Sequence, residues 1–278
     1  MSAHFGGSSR QSLAIARTDL DAAVKGVTHE VATQLSSELF FVAKVLAGAI
    51  SLRRAITDPS RDATSKVELV SEIFGKSLDS VALGLITSIS SLRWSSSGDL
   101  VPIIEQLAIE AEASAAIISD ELDRVEEELF ATSRAIADSF ELRKALITVG
   151  ADQAKGVLVG DLLGKDRSSS TIKLLTHLVN NLRGRSIEAA FSDYFYALAA
   201  RRDRMIVHVR VAVDMSPLQR ERLVNALTKE VGQQVRVNIE IDPTVVGGVS
   251  VKFADELVDG TISHRLIEAG RELIGQNV

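Results

Sequence analysis

Apolar residues recur along most of this chain at steps of three and four, the spacing that keeps one face of an α-helix apolar. Leu13, Ala16, Leu20 and Val24 begin the pattern, and Gly26 interrupts it. After Thr28, a cap candidate, the stripe resumes with Val31, Leu35, Leu39, Val42 and Leu46. This second helix is expected to run on to Asp58-Pro59, because the residue before a proline is pushed out of the helical region. Further helices are expected over roughly 63–74, stopped by Gly75, and 79–92. The serine-rich loop 95–99 offers Asp99 as an N-cap, and Pro102 is tolerated in the first turn. No glycine or proline then occurs until Gly150, while Ile104, Leu107, Ala111, Ala115, Ile118, Leu122, Val125, Leu129 and Ile136 keep a near-heptad rhythm. That stretch predicts one very long helix, or two with a joint near Ser119-Asp120.

The period changes at Met205. Val207, Val209 and Val211 alternate with His208 and Arg210, as in a strand with one polar face. Ser216-Pro217-Leu218-Gln219 has the form of a capping box, with proline at the first helical position. Val237, Ile239 and Ile241 form a second alternating strand turned by Asp242-Pro243. Gly247-Gly248 begins a third, Asp255-Glu256 returns it as a hairpin, and a last helix is expected from Ser263 to Gly275. The order is strand, helix, strand, strand, a short fourth strand and helix, a small α+β module.

An internal repeat underlies the helical part. Glu38-Leu39-Phe40 returns as Glu128-Leu129-Phe130, and Leu52-Arg53-Arg54-Ala55 as Leu142-Arg143-Lys144-Ala145. Leu69-Val70 with Gly75-Lys76 returns as Leu158-Val159 with Gly164-Lys165, and Leu92-Arg93 as Leu182-Arg183. The offset holds at 89–90 residues throughout, which indicates a duplicated helical unit. The expected fold is therefore mainly α: duplicated helical bundles joined by a long helix, followed by a small α+β domain. The expected divisions are a flexible leader at 1–11, a first helical repeat at 12–118, a second at 119–204 and the α+β domain at 205–278.

Composition narrows the function more by exclusion than by assignment. The chain has 278 residues, enough for two or three domains, and no cysteine, so disulfides, thiol nucleophiles and thiolate metal sites are all absent. The net charge of -6 disfavours a free nucleic-acid binder. Its longest uncharged run, 80–92, is too short to span a bilayer. Nine acidic residues and one basic residue, Arg124, lie between Glu105 and Glu128, a run expected to form a solvated helix face.

The pieces that resemble active sites fail on their own chemistry. Gly160–Lys165 is one residue short of a phosphate loop, Asp166 stands where Ser or Thr should hold magnesium, and no strand precedes it. Gly247-Gly248 leads into a strand, not a helix, so it is no dinucleotide fingerprint. His4, His29, His177, His208 and His264 show no metal-ligand spacing. Ser263 and His264, with Asp259, are too close in sequence to form a triad, and Ser263 serves better as a helix cap. Trp94 is expected to be a buried anchor at a helix end. No catalytic residue, cofactor site or metal site is expected.

The C-terminal segment carries a more specific signal. Ile241-Asp242-Pro243-Thr244-Val245-Val246-Gly247-Gly248-Val249, followed by Val258-Asp259-Gly260-Thr261-Ile262-Ser263-His264-Arg265-Leu266, resembles the signature of the delta subunit family of F-type ATP synthase, whose mitochondrial relative is the oligomycin sensitivity conferral protein. Thr261 replaces the family's usual serine, and Ala254 stands where a glycine is common. The likeness extends upstream through Leu142–Leu146, Leu158–Gly164 and Asn180–Arg183, covering about 120–278. The extra first repeat is similar to the extended actinobacterial type, and with no apolar span ahead of residue 1 the free form is expected, not one fused to a b subunit. The resemblance implies a non-catalytic stator subunit of a proton-translocating enzyme, at the cytoplasmic side of the cell membrane. Its partners would be the alpha subunits of the catalytic head and the b subunit of the peripheral stalk. Asp242, Pro243, Gly247, Gly248, Asp259, Gly260 and Ser263 would then serve as turns and a cap. The competing reading is a helical scaffold or adaptor that carries a delta-like C-terminal domain.

Overall fold

A computed structural model describes residues 5–147, 154, 155, 157–159, 166–204, 206–231, 236–242, 245, 249–253 and 256–259. The fold is mainly α, and the chain divides into two compact units, Met1–Ala199 and Ala200–Val278. The first contains α1 (Gly7–Ala23), α2 (His29–Gly48), α3 (Ile50–Thr57), α4 (Ala63–Phe74), α5 (Ser80–Ser91), α6 (Leu100–Ile118), α7 (Leu122–Asp138), α8 (Phe140–Ile147) and α9 (Ser169–Asn180). α10 (Ile187–Arg204) runs from the first unit into the second. The leader is shorter than expected: α1 begins at Gly7, and Phe5, Ser9 and Ser12 are buried. Ser9 is fixed by donating to Asp99 Oδ2 at 2.7 Å, so the Asp99 side chain braces α1 and makes no cap bond to α6.

The first unit is built around α6. Every residue from Ile103 to Ala116 is buried, as in a helix surrounded by others on all sides. Yet this helix carries Glu105, Glu110 and Glu112, all at most 3% exposed. The expected solvated acidic face is therefore wrong for its first half, because each carboxylate meets a cation from a distant element. Arg17 of α1 grips Glu110 through Nε at 2.9 Å and Nη2 at 2.6 Å. Gln106 donates to the same carboxylate at 3.1 Å. Glu112 accepts from Ser170 Oγ at 2.7 Å and Lys173 Nζ at 3.0 Å, both on α9. Glu105 takes Arg185 Nη2 at 3.0 Å and also Arg183. Positive φ at Arg183 (50°) and Gly184 (78°) makes the tight reversal that presents both arginines. Burial pulls the Arg17 guanidinium down, but the charge and hydrogen bonds of Glu110, with a smaller share from Tyr196, outweigh it and leave it above its ordinary value.

Three breaks interrupt the helices where the apolar stripe runs straight through. The expected continuous second helix turns by 106° between α2 and α3, at Ala49. The carbonyls this frees are taken by Arg53, whose Nη1 donates to Leu46 O and Ala47 O, both at 3.0 Å. Ninety residues on, between α7 and α8, Arg143 Nη2 donates to Ala137 O at 2.7 Å. The duplicated Leu-Arg motif is thus a side-chain cap for a bend. The long central stretch resolves into two helices. α6 ends in a Schellman motif: Glu121 N–H bonds Ala116 O at 2.7 Å, Asp120 N–H bonds Ile117 O at 3.0 Å, and Asp120 takes φ 58° where glycine is usual.

Helix lengths keep the sequence period. α3 and α8 each have 8 residues and start at 50 and 140; α5 and α9 each have 12 and start at 80 and 169. The segments before and after residue 118 nonetheless lie in one compact unit. α2 meets α9 directly: the Phe40 ring stacks on His177 at 3.7 Å, and Lys173 Nζ donates to Thr33 O at 3.0 Å. Asn181 Nδ2 donates to His177 Nδ1 at 3.1 Å, which leaves the proton of the neutral ring on Nε2. Burial, then the positive charges of Lys44, Arg183 and Lys173, push His177 down to about 4.

The second unit holds a four-stranded sheet in the order β2-β1-β3-β4. Its strands are β1 (Ile206–Val211), β2 (Arg236–Ile241), β3 (Val249–Phe253) and β4 (Glu256–Asp259), with α11 (Pro217–Val231) between β1 and β2. β1 and β2 are parallel, in register Val209 to Ile239, and α11 supplies the crossover that parallel pairing needs. β3 runs antiparallel to β1, and β4 antiparallel to β3. The alternation holds, with Val209 and Val211 buried and Arg210 exposed. The capping box forms reciprocally: Ser216 N–H donates to Gln219 Oε1 at 2.9 Å, and Gln219 N–H to Ser216 Oγ at 3.3 Å. The expected last helix from Ser263 lies outside the described residues.

Three outcomes are expected. Glu110→Ala strands the buried Arg17 cation and should cost roughly 3–5 kcal/mol by urea denaturation, most of it recovered when Arg17→Met and Glu110→Leu are made together. Asp120→Gly removes the left-handed penalty at the end of α6 and should raise stability by up to about 1 kcal/mol, whereas Asp120→Val should lower it. The unfolded chain binds the His177 proton near pH 6.5 and the folded chain only near 4. Stability from the neutral ring is therefore complete above 6.5 and falls as pH drops towards 4, by on the order of 3 kcal/mol. Denaturation midpoints of His177→Phe should lose that dependence between about pH 6.5 and 5.

Candidate functional site

Of the signature residues, the structure describes Asp242 and the backbone of Asp259. Asp242 N–H donates to Val211 O at 2.9 Å, and Asp242 C=O accepts from Val245 N–H at 3.0 Å. Its side chain faces Arg210, with Oδ2 3.5 Å from Nη1. One residue thus ends β2, ties it to the end of β1 and starts the turn that buries Val245. Asp259 pairs with Ser250 across the β3–β4 hairpin. Pro243, Gly247, Gly248, Gly260 and Ser263 lie outside the described residues, as does the Gly160–Lys165 segment.

Among the described residues, the buried polar side chains of the helical unit converge on each other in ion pairs and hydrogen bonds. Among the described residues, no group of three or more His, Asp or Glu could hold a metal ion. His29 Nδ1 lies 3.0 Å from Ala115 O, at the C-terminal end of α6, and His177 is stacked in the α2–α9 contact. Trp94 is half-buried against the core at the end of α5. Tyr194 is fully buried beside the Glu105 cluster; burial, then the Glu105 charge, hold its phenol well above its ordinary value, so it stays neutral. Glu128 on α7 is a fourth buried carboxylate, bonded to Arg124 Nε at 2.9 Å and Ser168 N–H at 3.1 Å.

What remains at the surface is shape. A shallow depression lies between α2 and α5, lined by Val31, Leu35, Val81 and Ala82 and rimmed by Glu38 and Asp79. Glu38 Oε2 accepts from the Asp79 N–H at 3.0 Å and fixes that rim. A second feature escaped sequence reasoning. Phe130 on α7 stands 56% exposed, 6.3 Å from the Phe195 ring of α10, which lies 6.0 Å from Phe191. Its signal was present in the repeat: Phe130 matches Phe40, yet only one of them has a partner helix over it. Among the described residues, no single helix is long and apolar enough to cross a membrane.

Comparison with known proteins agrees with a shape-based role. Residues 110–273 match the family described as ATP synthase delta (OSCP) subunit. The chain is 40% identical to the ATP synthase subunit delta of Streptomyces griseus over 268 residues, covering 96% of this chain and 98% of that one. It is 35% identical to the subunit delta of Kineococcus radiotolerans over 97% of this chain and 98% of that one. It is 38% identical to that of Thermobifida fusca over 87% and 90% respectively. The matches run through both halves of the helical unit and the sheet, and nothing in the described residues supports chemistry of its own. The chain therefore belongs to the ATP synthase delta (OSCP) subunit family, as a non-catalytic component of the peripheral stalk.

Proposed function

We propose that this chain is the torque-resisting link of the stalk, with a duplicated helical body on the alpha subunits of the catalytic head and the sheet unit on the membrane-anchored b subunit. One observation carries the mechanical part: α6 is buried along its length and ion-paired to α1, to α9 and to the segment before α10. A link that holds the head against a turning rotor needs elements that do not slide. Partners side-chain-bonded to one central helix meet that need better than apolar contact, which is non-directional.

The family signature takes a structural role in this reading. Asp242, Pro243, Gly247, Gly248, Asp259, Gly260 and Ser263 shape turns and a cap that present the sheet, and none of them does chemistry. The backbone bonds of Asp242 to Val211 and Val245 support this. In the duplicated body, α6 closes the first bundle and opens the second, so no linker lies between them. We place the chain at the cytoplasmic side of the cell membrane, held there by its partners.

Truncation ahead of Met205 should leave ATP hydrolysis by the assembled enzyme intact while abolishing coupled proton pumping. The measurement is hydrolysis rate against proton uptake in membrane vesicles. Full pumping by enzyme carrying the truncated chain would remove the sheet unit from the stator role.

A further inference from the structure

Residues 110–273 match the family, so α1 to α5 lie ahead of the matched region, yet they do not form a separate unit. α2 lies along α6 and is fixed to the matched half at successive points. At its start, His29 Nδ1 lies 3.0 Å from Ala115 O, and a carbonyl only accepts, so the ring donates. One turn on, the Lys173 ammonium of α9 bonds Thr33 O and Glu112 Oε2, each at 3.0 Å, and so ties α2, α6 and α9 together. Further along, the Phe40 ring stacks on His177 at 3.7 Å, with 17° between the planes. Small buried residues recur at helical spacing, Ala32, Ser36 and Ala43 on α2 and Ala108, Ala111 and Ala115 on α6, which lets helices approach closely. α1 adds its own hold: Arg17 grips Glu110 and hydrogen-bonds Tyr196 of α10. All of these partners, from Glu110 to Tyr196, fall inside the matched region.

We propose that the extra half is a splint built into the chain: α1 and α2 strap the family half of the body along its side, and coupling depends on that strap staying closed. A mere spacer would join the family half only through the shared helix α6. These helices instead lie beside it and bond α6, α9 and α10. That widens the cross-section that carries torque, and the bending stiffness of a rod rises steeply with its width. The anchors also differ in kind: buried ion pairs, a ring stack and a bond to a helix-end carbonyl. The proposal rests on the reading of the chain as the torque-resisting link.

The test uses the whole enzyme with Ser36→Cys in this chain, which has no cysteine of its own. Ser36 is fully buried on α2 and its hydroxyl has no hydrogen-bond partner, so the exchange sacrifices no bond. Iodoacetamide labelling at position 36 is followed by mass spectrometry during ATP hydrolysis, with the exposed Ser37→Cys as reference. A closed strap protects position 36, which should label about a hundredfold more slowly than position 37. His177→Ala removes the stack and should speed labelling at 36 about tenfold, while proton uptake per ATP hydrolysed falls by roughly half. His177→Phe keeps a ring on Phe40 and should restore both. Phe40→Leu carries the same comparison if His177→Ala does not assemble. Fast labelling of enzyme altered only at 36 overturns the splint, as do variants that label no faster, or that label faster and still pump fully. Truncation ahead of Met205, run alongside, separates the two readings. If it uncouples the enzyme while the loosened strap pumps fully, the splint alone falls; if it also pumps fully, the stalk reading falls with it.

Discussion

A carboxylate taken out of water must meet a cation or lose its charge, and α6 carries three such groups through the middle of the helical unit. Most of the arrangement around it follows from that requirement. Arg17 reaches Glu110 from the N-terminal helix, Lys173 and Ser170 reach Glu112 from α9, and Arg183 and Arg185 reach Glu105 from the reversal before α10. Ion pairs of this kind are poor sources of net stability, since desolvation takes back most of the attraction. What they supply here is register. A helix that slides or rotates by a residue must repack its apolar neighbours, and here each displaced carboxylate would in addition lie buried without its cation.

The same local devices occur twice around that helix, and their differences are as informative as their likeness. Arg53 and Arg143 cap the helix end before a bend in each half, with the bonds made to carbonyls at matching positions. Phe40 and Phe130 occupy matching positions on α2 and α7 but meet different surroundings. Where one half covers its ring with a helix of the same chain, the other leaves the ring to solvent and adds negative charge beside it. The two matching phenylalanines thus differ in setting, one inside an internal contact and one exposed.

Much of this was legible along the chain, and what was not has a common cause. Helical periods, the alternating strands, the Ser216–Gln219 capping box and the Asp242 turn depend on residues within a few positions of each other, so they can be read locally. The break at Ala49 has no local signal, because Leu46 and Ile50 keep a four-residue helical spacing across it, and the side chain of Arg53 accommodates the bend. The acidic run differs from its expected solvated face for the same reason at longer range. Glu110 and Arg17 lie 93 positions apart, and Glu112 and Lys173 lie 61 apart, so nothing near either carboxylate announces its partner. Asp99 has the sequence setting of a cap, yet its acceptor is used by Ser9, 90 positions away. In the site, the sequence pointed to the signature turns and overlooked the aromatic face, since an exposed Phe130 and a buried Phe40 look identical as letters.

The depth of the α6 carboxylates also sets how the body responds to its medium. Surface pairs such as Arg143 with Glu188 are weakened by mobile ions, which screen charges over about 8 Å at physiological ionic strength. Counter-ions cannot approach Glu110 or Glu112, which are at most 1% exposed. Rising salt is therefore expected to loosen the surface pairs first and to leave the register set by Glu110 and Glu112 in place.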